Sequence, residues 1–135
     1  MAQAAAGAAS SKAGYAFALA EPGHGALVVE AKSGAEKLLD SAAAPGLRAL
    51  DTFFLHHAVL GPLLGVPDTA VSYVHSQAEA AAAVASGACR LAVLLRATPV
   101  EQIVDVAEAG ESMPAKSTFF HPKLPSGLVI HPLVA

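Results

Sequence analysis

From Ala13 to Leu19 large and small apolar residues alternate, and a second apolar run, Ala26 to Val29, follows the turn Glu21-Pro22-Gly23-His24-Gly25. Period-two alternation on both sides of a Pro-Gly turn predicts a β-hairpin. Residues 31–46 are polar and alanine-rich, close on Pro45-Gly46, and read as a connector. Leu47, Leu50, Phe54, Ala58 and Gly61 then recur at three- and four-residue spacing, so one helix over 47–60 is expected. Pro62 should end or kink it.

Beyond Val66-Pro67-Asp68 the period returns to two, with Val71, Tyr73 and His75 on one face of an expected strand over 70–75. Ser76 and Glu79 form a capping box for a helix running through the alanines to Ser86, where Gly87 supplies a left-handed stop. Arg90 to Leu95 is nearly continuously apolar, as in a strand covered on both faces. Residues 71–95 therefore read as a βαβ unit with a right-handed crossover. Thr98 and Glu101 repeat the capping box around Pro99 and open a helix stopped by Gly110. Leu128 to Leu133 reads as a last strand, entered through the turn Pro125-Ser126-Gly127. The fold class expected is a single α+β (α/β) domain over 13–135: hairpin, helix, βαβ unit, helix and C-terminal hairpin. Residues 1–12 are expected to be a disordered leader.

Composition narrows the function classes. The 135 residues suit one domain, and alanine is the largest single part of the 54% of hydrophobic residues. No apolar run approaches the roughly 20 residues of a membrane-spanning helix. The net charge is −3 and the eight basic residues are scattered, so no positive face for nucleic acid is expected. Cys89 stands alone, which excludes an intramolecular disulfide and fits a reducing compartment. With neither an arginine nor a compact hydrophobic block near Met1, a cytoplasmic location is expected.

Chemistry concentrates between Met113 and Gly127, where three prolines, two lysines and two phenylalanines interrupt an otherwise aliphatic chain. Lys116 and Lys123, the hydroxyls of Ser117, Thr118 and Ser126, the ring of His121 and loop amides could together hold a small anion. Arg96 joins them as a candidate because it ends the expected central strand, where ligands gather in open sheets. The competing reading leaves both lysines solvated and has Phe119, Phe120 and Leu124 pin the loop to the core. Gly110 to Ser117 comes within one residue of a P-loop, with Ala115 in place of the second glycine. A P-loop follows a strand and opens a helix, and here a helix precedes it. The six histidines include no pair at four-residue spacing, so no metal site is expected. None of Ser112, Ser117 or Ser126 sits in a nucleophile elbow.

Met113-Pro114-Ala115-Lys116-Ser117-Thr118-Phe119-Phe120-His121-Pro122-Lys123, read with Ser72-Tyr73-Val74-His75 and Leu94-Leu95-Arg96-Ala97-Thr98-Pro99, resembles the bacterial and archaeal family called domain of unknown function 1015. His121 stands where that family usually has tyrosine. The resemblance implies a C-terminal part of a longer protein, whose N-terminal half carries its own acidic motifs. Some members are labelled partition-protein-like, a superfamily that includes nucleotide-dependent serine kinases. ATP or ADP is then the implied cofactor, and this chain would be an accessory part without turnover of its own. Two functions remain open: a domain binding a small anionic ligand (phosphate, nucleotide or amino acid), or a structural domain. The second would form a homodimer or pack against the separate N-terminal half.

Overall fold

A computed structural model describes residues 1–118; the expected strand over 128–133 and the hairpin built from it lie outside the described residues. The chain is a small α+β domain. It begins with α1 (Ala2–Ser10), then β1 (Ala16–Glu21) and β2 (Gly25–Glu30), the hairpin expected from the alternation. Phe17 pairs with Val29 and Leu19 with Leu27, so the larger side chains of both strands share one face.

The segment expected as a disordered leader is the helix α1, because alanine carries the highest helix propensity of any residue. Ala4 and Ala8, one turn apart, are buried against Ala18 of β1. The approach is close: a Cβ placed on Gly7 would lie 2.9 Å from Val28 Cγ2. Each buried methyl contributes about 0.8 kcal/mol, so this contact alone holds α1 weakly.

The other face of the sheet carries the main core. Tyr15, Phe17, Leu39, Phe54, Leu55, Ala58 and Leu60 form one buried cluster. Tyr15 and Phe54 stack with ring centroids 4.0 Å apart, and the Tyr15 hydroxyl donates to the Arg48 carbonyl at 2.7 Å. The single helix expected over 47–60 is instead three pieces. These are α2 (Pro45–Arg48), α3 (Asp51–Phe54) and a π-helical turn, Leu55–Leu60. Leu50 between the first two is extended, with φ −82 and ψ 131, and is almost wholly buried. The break at Leu50 makes Asp51 the first residue of α3, and the wider π turn re-aims Leu55, Ala58 and Leu60 inward.

The expected βαβ unit is not formed. Asp68–Ala70 is a short 3₁₀ turn, and residues 71–75 make no strand pairing among the described residues. The strand β3 (Ala92–Leu95) takes the place beside β1 and runs antiparallel to it, giving the order β2-β1-β3. Between them α4 (Gln77–Ala85) packs Ala80 and Val84 on Ala92. Its cap forms largely as expected: the Glu79 amide donates to Ser76 Oγ at 3.1 Å. The Glu79 carboxylate accepts from the His75 amide, one residue before the position expected. Finally α5 (Val100–Glu108) buries Val106 completely. Gly46 permits that contact, since a Cβ there would meet Val106 Cγ2 at 3.3 Å. Gly87 and Gly110 both stop helices with φ of 73, as expected.

Two outcomes test this packing. Ser76→Ala removes the α4 cap and should cost about 1 kcal/mol in urea denaturation. Burial, reinforced by the negative charges of Glu36 and Asp51, pushes the Tyr15 hydroxyl above the ordinary tyrosine range, against an opposing pull from Arg48. The unfolded chain then loses that proton first, so stability should be full below pH about 10 and decline as pH rises further. Tyr15→Phe should flatten this alkaline decline in denaturation curves taken at several pH values.

Candidate functional site

The break at Leu50 and the end of β3 bring Asp51 and Arg96 together. Arg96 Nε donates to Asp51 Oδ2 at 2.5 Å and Nη2 to Oδ1 at 2.6 Å, a two-pronged ion pair. The remaining donors reach the chain between α1 and β1. Nη1 meets the carbonyls of Ser11 and Ala13 at 3.4 and 3.2 Å, and Nη2 meets that of Gly14 at 2.9 Å. All five N–H groups of the guanidinium thus have an acceptor. Hydrogen bonding to Asp51 and its charge raise the Arg96 pKa further against the opposing effect of burial, so the group stays charged at any working pH.

Beside this pair lies a hollow of about 420 Å³, between the end of β3, the start of α5 and the loop after α5. Its polar lining includes Thr52, Arg96, Thr98, Lys116, Ser117 and Thr118. Leu95, Ala97, Val100 and Ile103 supply the apolar part. The loop is shaped by a turn over 114–117, in which the Pro114 carbonyl accepts from the Ser117 amide at 3.2 Å and its hydroxyl at 2.6 Å. Lys116 is the third residue of that turn and has φ 61, the left-handed region normally left to glycine or asparagine. Holding a lysine there costs on the order of 1 kcal/mol.

Of the residues singled out in the sequence, Arg96, Lys116, Ser117 and Thr118 come to this one hollow. His121, Lys123 and Ser126, like the apolar Phe119, Phe120 and Leu124, lie outside the described residues. Thr98 does not cap α5, whose N-cap position is Pro99 with no side-chain cap. Its Oγ1 donates instead to the Ser117 carbonyl at 3.0 Å and ties the loop to the helix start. The near-P-loop residues 110–117 form a helix stop and a turn after α5, not a strand-to-helix loop. Among the described residues no group of three or more His, Cys, Asp or Glu side chains could hold a metal ion. No helix among them is long and apolar enough to cross a membrane.

Sequence reasoning missed Asp51 and Thr52. The available signal was an aspartate directly after Leu50 and two residues before the aromatic pair Phe53-Phe54, inside a stretch that otherwise belongs to the core. A carboxylate in that setting needs a cationic partner.

Arg96→Lys cannot reproduce the two-pronged pair or reach three carbonyls from one ammonium. It should lower stability by about 2–3 kcal/mol, less than for a wholly buried pair because Arg96 keeps 22% of its side chain exposed. Replacing Asp51 and Arg96 together by leucine should cost less than the sum of the single changes, read by denaturant unfolding.

Compared with known proteins, the chain matches no protein-family model, no curated protein and no solved structure.

Proposed function

We propose that this chain is a binding or accessory domain for a small anionic ligand, in a protein related to nucleotide-dependent small-molecule kinases. The kinship rests on the resemblance of residues 113–123 to the family described above. One observation supports the binding reading: Lys116 is held in an unfavourable backbone conformation at the rim of a hollow whose size suits a small molecule. Neither Lys116 nor Thr118 makes a hydrogen bond or ion pair among the described residues, so both are available to a ligand. The uncapped amides at the start of α5 add donors on the same side.

The contribution of Arg96 differs from the one expected. Asp51 neutralises its charge and carbonyls occupy its other donors, so Arg96 shapes the wall of the hollow while Lys116 brings the cationic charge. The structural reading has support of its own. Val100 is 64% exposed and Val104, one turn on, is 45% exposed, with Leu95 nearby at 37%. An apolar strip of this kind suits a second copy of the chain or another domain.

A thermal-shift screen of ATP, ADP, orthophosphate, serine and phosphoserine separates the two. A ligand present at a hundred times its Kd stabilises by about 2.7 kcal/mol, which raises Tm by several degrees. We expect such a shift with at least one compound for the wild type, and its loss in Lys116→Ala. A flat response to every compound, with a doubled mass in solution that Val104→Asp abolishes, would overturn the ligand reading in favour of dimerisation.

A further inference from the structure

The hydrogens in the hollow restrict the ligand further than the charges do. Ser117 Oγ lies 2.6 Å from the Pro114 carbonyl oxygen and Thr98 Oγ1 lies 3.0 Å from the Ser117 carbonyl oxygen. A carbonyl only accepts, so each hydroxyl proton is committed to its carbonyl. Toward any other partner these two oxygens can only accept. Arg96 has no donor left either, because its five N–H groups already meet five acceptors. Among the described lining side chains the remaining donors are the Lys116 ammonium and the hydroxyls of Thr52 and Thr118.

A phosphate is mainly an acceptor, since a monoester dianion has no O–H and the inorganic hydrogen phosphate dianion has one among its oxygens, and it would set bare oxygens against the lone pairs of Thr98 and Ser117. A ligand that fits must bring both an anion for Lys116 and N–H donors for the two hydroxyl oxygens. It must also bring apolar surface for Leu95, Val100 and Ile103, which form the apolar side of the hollow. We infer that the hollow takes a free α-amino acid with an apolar side chain. Its carboxylate pairs with Lys116, its ammonium donates to Thr98 Oγ1 and Ser117 Oγ, and its side chain lies against Leu95, Val100 and Ile103. A volume of about 420 Å³ leaves room for a leucine- or phenylalanine-sized molecule. This inference rests on the anion-site reading above and narrows it.

Titration calorimetry with the full chain tests it, using L-leucine, L-phenylalanine, isocaproate (leucine without its ammonium) and inorganic phosphate. At least one amino acid should bind no less than tenfold more tightly than isocaproate or phosphate. Thr98→Val, which keeps the side-chain shape but removes the acceptor together with the bond to the Ser117 carbonyl, should weaken the amino acid at least fivefold more than it weakens isocaproate. A general loss of structure would weaken both alike. If isocaproate or phosphate binds as well as the amino acids, the inference fails while the anion site stands. If neither the four compounds nor any nucleotide binds, both fall.

Discussion

The two-pronged bond between Arg96 and Asp51 is the constraint on which the remaining arrangement depends. It joins the end of β3, the start of α3 and the segment leading from α1 into β1, three places far apart in the chain. The alternatives for holding α1 are small, since the methyl groups of Ala4 and Ala8 together contribute less than about 2 kcal/mol. A guanidinium with five satisfied donors gives what alanine packing cannot: a fixed direction for residues 11–14 as they enter the sheet. It also explains the extended Leu50, because an unbroken helix would not begin at Asp51. The same commitment leaves Arg96 with no free donor toward the hollow beside it.

Close approach through small residues is the second organising feature. Gly7 lets α1 sit against Val28, and Gly46 lets α2 receive Val106 of α5. Alanine on β1 and β3 presents a shallow surface on the α1 side, while Phe17, Leu19 and Val93 build the deeper core on the other. The sheet is thus thin on one side and thick on the other. The hollow opens where the thick side ends, between Leu95 and the first turn of α5.

Local signals were legible, and long-range pairing was not. The hairpin, the Ser76 cap and the glycine stops after α4 and α5 each depend on residues within a few positions of one another, and each was readable from spacing. The strand expected over 70–75 alternates correctly, yet β3 occupies the site beside β1 in the opposite direction. Alternation says that a segment could pair, and only competition among segments decides which one does. The helix over 47–60 misled for a related reason, since its apolar stripe is real but the Asp51 side chain has to reach Arg96. Arg96, Lys116, Ser117 and Thr118, singled out by residue type and position, meet at one hollow. Their division of labour was hidden, because which donors are already spent is a property of tertiary contacts.

The backbone at Lys116 has an evolutionary corollary. Its left-handed conformation would be more comfortable for glycine or asparagine, so nothing in the turn itself favours a long cationic side chain. A lineage in which the neighbouring hollow had fallen out of use would be free to drift toward those two residues. Position 116 is therefore where the history of this cavity should be written most plainly.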